Sequence, residues 1–112
     1  VAEAVAAQLA DAGSIDGYVW DTMRRQGMHA VSQTEVVWQS ERFGFPPLVS
    51  KRGNRNPYRE GLRQALFGMA QDPAGVELLT ALNLSGFTPG GAHMYDSIRK
   101  QARSVAASGV GV

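Results

Sequence analysis

Gly13-Ser14-Ile15-Asp16-Gly17-Tyr18-Val19-Trp20-Asp21 is the stretch on which the fold class turns. Ile15 to Trp20 is short, aromatic and β-branched, a composition that favours a buried strand. Asp21 follows at its end, with Met23, Arg24 and Arg25 behind it and Gly27 placed to stop a helix. A carboxylate at such a junction accepts hydrogen bonds from the first free amides of a helix. The stretch therefore reads as strand, aspartate, helix. Side chains alternate between the two faces of a strand, which puts Tyr18 and Trp20 on the same side. That aromatic face either packs in a core or meets a ligand. Asp21 has two roles open as well, helix cap or ligand contact, because open α/β sheets bind ligands where strands end and helices begin.

On the N-terminal side, Val1, Val5 and Leu9 recur at helical spacing, and Gly13 is the expected stop. Val1 stands where an initiator Met would, so the chain is expected to be cut from something longer, and no signal-peptide pattern is read in it. On the C-terminal side, Thr34 to Ser40 is a second strand candidate and Pro46 to Lys51 a third, entering its sheet only after Pro47 because proline donates no ladder bond. Asn56-Pro57 and Asp72-Pro73 are helix starts, a capping side chain followed by the residue that tolerates the first helical position. Leu62, Ala65, Leu66 and Met69 form the apolar stripe of the first of these helices, and Val76, Leu79 and Leu82 that of the second. Gly86, Pro89, Gly90 and Gly91 make a loop around Phe87 before a last helix carrying Met94, Tyr95, Ile98 and Ala102. The small residues from Ser104 to Val112 are expected to form a loosely ordered tail. Alternating helices and strands define an α/β class, with short sheet strands flanked by helices.

At 112 residues the chain has the size of one domain, which excludes a multi-domain machine. Its apolar runs are a few residues long, against roughly 20 needed to span a bilayer. Eleven Lys and Arg against ten Asp and Glu leave a net charge of +1, too balanced for the basic face that nucleic acid requires, and no nucleic-acid partner is expected. The absence of Cys removes disulfides and thiolate chemistry. His29 and His93 lie far apart with no carboxylate at ligand spacing, so no metal site is expected. No glycine-rich phosphate cradle is present, and neither Ser14 nor Ser85 sits on the strained turn of a hydrolase nucleophile. With no nucleophile, base and orienter to name together, no catalysis and no cofactor are expected. Lys51, Arg52, Arg55, Arg59 and Arg63, opposed by Glu60, form a basic segment that reads as a solvated face or as an anion or partner contact.

Four pieces in order carry a resemblance: Gly13 to Asp21, Val36 to Pro47, Asp72-Pro73-Ala74-Gly75, and Leu84-Ser85-Gly86-Phe87 with Tyr95. Together they resemble the C-terminal part of the phosphonate/phosphite-type substrate-binding proteins of bacterial ABC importers. The resemblance covers most of the chain. It implies a fragment of a type II two-lobed periplasmic binding fold that closes over a small oxyanion, performs no chemistry and delivers its ligand to the membrane permease of the importer, in the periplasm. Residues 1–42 would be a second-lobe segment, and 43–112 the hinge and the C-terminal return to the first lobe. Asp21, with Trp20 and Tyr18, would face the inter-lobe cleft. Ser40, Phe43, Gly44, Phe45 and Pro46 would form hinge and cleft rim. In the family, the Ser/Thr-rich helix start that holds the phosphonate or phosphite lies upstream of this stretch. A chain with part of each lobe would leave apolar faces uncovered, so a homodimer or a swapped pair is expected. The same fold also serves as the ligand-binding sensor of membrane receptors, which stands as the alternative function.

Overall fold

The computed structural model describes residues 1–53 and 56–109. Arg55 of the basic segment and residues 110–112 of the tail lie outside them. The regular secondary structure among the described residues is helical: α1 (Ala2–Ala6), α2 (Gly17–Arg25), α3 (His29–Ser32), α4 (Arg59–Gly68), a 3-10 turn at Met69–Gln71, α5 (Pro73–Ala81), a second 3-10 turn at Ala92–Tyr95, and α6 (Asp96–Ala107). Among the described residues no helix is long and apolar enough to cross a membrane.

No strand occurs among the described residues, which overturns the α/β assignment. The deciding stretch fails as a strand for a local reason. Asp16, in extended conformation, accepts hydrogen bonds from the amides of Tyr18 at 2.8 Å and Val19 at 3.2 Å, so the helix begins at Gly17. A side-chain cap that satisfies the first free amides outweighs the weak β preference of Tyr18, Val19 and Trp20. Residues 34–51, which contain both other strand candidates, are free of helix but form no ladder. A strand exists only through a neighbour that takes up its N–H and C=O groups, and among the described residues these segments have none. Val37 is 81% exposed and Trp38 78%, so no packed face replaces the missing ladder.

Helix ends are set by short-range chemistry. At the end of α2, Gly27 takes φ +66°, the Gly27 amide donates to the Arg24 carbonyl at 3.0 Å and the Met28 amide to Met23 at 3.1 Å. This is the Schellman closure, as the position of Gly27 predicts. The same closure ends α5 with Asn83 in the left-handed position, where the Leu84 amide reaches Leu79 at 2.9 Å. It also ends α1, but with Gln8 at φ 59° and the Leu9 amide on Ala4 at 2.9 Å. The first helix thus stops well before Gly13. That glycine lies close against the start of α1: a Cβ on it would stand 2.5 Å from Cγ1 of Val1, so any larger residue there would displace the exposed Val1 side chain.

Asp72-Pro73 starts α5 as expected, with the Asp72 carboxylate accepting from the Gly75 amide at 3.3 Å and Pro73 in the first turn. Asn56 accepts from the Tyr58 amide at 2.9 Å, forming the turn that leads into α4. The tail is more ordered than its composition predicts, since α6 continues to Ala107.

The chain divides into two compact units, Val1–Ser40 and Glu41–Val112. In the first, α3 lies against both α1 and α2, and Ala2, Ala30 and Val31 are buried. In the second, α5 packs on the 3-10 turn that follows α4, burying Gly75 and Leu79. The apolar stripes are only partly covered: Leu62, Val76 and Leu82 remain exposed, while Leu66 and Met69 are half-buried.

Candidate functional site

The three residues expected to face a ligand, Tyr18, Trp20 and Asp21, all lie on α2 and are half-buried. Their helical setting changes which of them stand together. Residues three or four apart share a helix face, whereas residues two apart point to nearly opposite sides. Tyr18 therefore shares a face with Asp21 and Thr22, and Trp20 is separated from Tyr18. The hydroxyl of Thr22 donates back to the Tyr18 carbonyl at 2.8 Å, tightening this turn.

Asp21 is not the cap of α2; that role belongs to Asp16, five residues earlier. Its carboxylate is instead held by two guanidinium groups of the last turn. Arg24 Nη2 donates to one oxygen at 2.7 Å and Arg25 Nε to the other at 2.9 Å. The Asp21 side chain is 33% exposed, while the arginines are about two-thirds exposed at 66% and 67%. Pairs of this kind on a helix surface are worth a few tenths of a kcal/mol each, so their main effect is geometric. They offset the charge of Asp21 and fix two cationic donors on one side of the helix.

The residues expected at a hinge or rim fall around the boundary of the two units. Ser40 closes the first unit, and Phe43, Gly44, Phe45 and Pro46 belong to the second. Phe43 and Gly44 are half-buried, whereas Ser40, Phe45 and Pro46 are exposed. One contact of this segment comes from Tyr95, whose hydroxyl donates to the Phe45 carbonyl at 2.9 Å. A Cβ on Gly44 would lie 2.9 Å from Cε1 of the Tyr95 ring and 2.9 Å from the Met94 carbonyl oxygen. Reasoning from the sequence put Tyr95 on the apolar stripe of the last helix and missed this role. No local signal could have revealed it, because the partners are fifty residues apart.

The basic segment lies on and before α4. Arg59 and Arg63, one helical turn apart, line an open cavity of about 380 Å³ with Asn56, Pro57 and Glu60. Arg63 is also engaged within its own helix, 3.9 Å from the Glu60 carboxylate and with its guanidinium 5.2 Å from the centre of the Phe67 ring.

Residues 1–95 match the protein family described as "ABC transporter, phosphonate, periplasmic substrate-binding protein". The chain belongs to this family of periplasmic substrate-binding proteins. Its class is thus that of a transport component which binds a small molecule and works with an ABC permease, rather than one that transforms it. A comparison with curated proteins finds no match.

Proposed function

We propose that the chain helps to form a site for a small phosphorus oxyanion, phosphonate foremost, with phosphite and phosphate as related ligands, and passes that ligand unchanged to the membrane permease. Membership of the phosphonate family over residues 1–95 carries the reading. In it, residues 1–42 serve as a second-lobe segment and 43–112 as the hinge and return. Tyr18 and Asp21, which share a face of α2, meet the ligand, Trp20 lies on another face of the same helix, and Ser40, Phe43, Gly44, Phe45 and Pro46 form hinge and rim.

The chemistry of α2 supports the assignment. A bare carboxylate would repel an oxyanion in a partly buried cleft. Asp21 is neutralised by Arg24 and Arg25, and arginine is the side chain whose planar donors best match a tetrahedral oxyanion. A ligand that brings its own ammonium group would find the carboxylate as a second anchor.

Titration calorimetry on the full-length protein with methylphosphonate, phosphite and phosphate tests this reading. Micromolar or tighter binding of at least one of them is expected, about 8 kcal/mol of binding free energy. Absence of binding for all three refutes it. If the Asp21 carboxylate accepts a hydrogen bond from a protonated group of the ligand, the P–OH of a singly protonated oxyanion or an ammonium, Asp21→Asn should weaken that ligand more than tenfold. Unchanged affinity would leave Asp21 as an anchor for two arginines and nothing more.

A further inference from the structure

We propose that Tyr95 is a positioning residue for the binding cleft: it grips the backbone at Gly44 and Phe45 and holds the rim segment in one conformation before ligand arrives. The inference rests on the proposed reading of Phe43 to Pro46 as cleft rim, and it adds a residue and a mechanism to it.

Two separate contacts fix the same short piece of main chain. The first is steric. The ring of Tyr95 lies so close to Gly44 that a Cβ there would stand 2.9 Å from Cε1 and 3.2 Å from Cδ1. Atoms at that separation overlap, so the ring takes this place only because residue 44 has no side chain. The second is polar. The hydroxyl donates to the carbonyl of Phe45 at 2.9 Å, a normal hydrogen-bond distance.

The anchor is itself held. Tyr95 ends the 3-10 turn Ala92–Tyr95, which runs directly into α6. Arg99, one turn into α6, donates to the Ala92 carbonyl at 2.8 Å and pairs with Asp96. The start of the turn that carries the ring is therefore tied to the helix behind it, and its end runs into that helix. Beyond the grip, Pro46 and Pro47 fix their own φ angles. The main chain is thus constrained from Gly44 through Pro47, by side-chain contact on one side and ring chemistry on the other.

Order established before binding lowers the ordering cost at the moment of binding. If the rim is open for part of the time, apparent affinity falls by the fraction of molecules that are competent. Loss of the Tyr95 hydroxyl removes one net hydrogen bond, a factor of about three to ten in that equilibrium. Ligand affinity falls by up to that factor, in full where the open rim predominates.

The test uses Tyr95→Phe in the full-length protein, which keeps the ring, with Gly44→Ala as a second variant that displaces the ring instead. Hydrogen exchange reads the amides of Phe43, Gly44 and Phe45, calorimetry with methylphosphonate reads affinity, and thermal melting reads overall stability. Faster exchange at those amides together with measurably weaker binding, up to about tenfold, is expected for Tyr95→Phe, with a similar or larger effect for Gly44→Ala. Unchanged exchange in both variants overturns the grip. Faster exchange with unchanged affinity overturns the positioning role and leaves Tyr95 as packing. A wild-type protein that binds no phosphonate, phosphite or phosphate overturns the oxyanion reading and with it the proposed link between grip and ligand, while exchange still reports on the grip by itself.

Discussion

Gly75→Ala is the substitution whose sign separates local from tertiary control of this fold. By helix propensity alone the change is favourable, since Ala in a helix interior is better than Gly by about 1 kcal/mol. The surroundings reverse it. A Cβ on Gly75 would overlap the Met69 carbonyl oxygen and lie 2.9 Å from the Met69 carbonyl carbon and Cα. Each of these is a backbone atom of the 3-10 turn packed on α5, so no rotamer change relieves the contact. The turn and the helix must move apart, which uncovers the region of Leu79, 2% exposed in the native packing. It also strains the bond from the Gly75 amide to the Asp72 cap. Overpacking of this kind costs up to about 3 kcal/mol. Less the gain in propensity, up to about 2 kcal/mol is lost, or up to about 8–16 °C in melting temperature for a unit of this size. Gly61→Ala is the matched control, since Gly61 lies within α4 and a Cβ there meets nothing within 4 Å. That variant should gain up to about 1 kcal/mol. Differential scanning calorimetry of the pair decides the matter. A Gly75→Ala protein that melts at or above the wild type would show that the close approach of Met69 does not hold the second unit together.

The caps give a second contrast. Asp16→Ala should cost about 1 kcal/mol because it frees the Tyr18 and Val19 amides, whereas Asp21→Ala, which gives up two exposed ion pairs and no cap, should cost less; melting curves showing the reverse order would refute the assignment of the cap to Asp16. Gln8→Gly should stabilise the end of α1 by about 0.5–1 kcal/mol, since Gln8 sits at φ 59° where a side chain is penalised, and a loss in chemical denaturation would count against the closure described. The exposed side chains of Val37, Trp38, Leu48 and Val49, each above 70%, predict that the 112-residue chain self-associates. A clean monomer in analytical ultracentrifugation at high concentration would refute that.

What could be read from the residues alone was whatever the chain decides within four or five positions. Asp72-Pro73 opens α5 and Gly27 closes α2 because capping bonds join near neighbours in sequence, and both are present as read. Asp16 belongs to the same short-range chemistry and was legible in principle, but the aromatic and β-branched run after it drew the reading towards a strand. The family, too, was legible, because it rests on the order of residues along residues 1–95 and not on their packing. The candidate site was legible only as a set of names. That Tyr18 stands with Asp21 instead of with Trp20 follows from helical periodicity, once α2 is seen to be a helix.

Tertiary structure decided the rest, for one physical reason: its contacts join residues whose separation no local pattern encodes. Val36 to Ser40 has the side chains of a strand, yet strands are made by ladders, and no ladder partner occurs among the described residues. Gly44 and Gly75 look like ordinary flexible positions in the sequence. The structure makes each a place where another part of the chain comes too near for a Cβ, Tyr95 in one case and Met69 in the other.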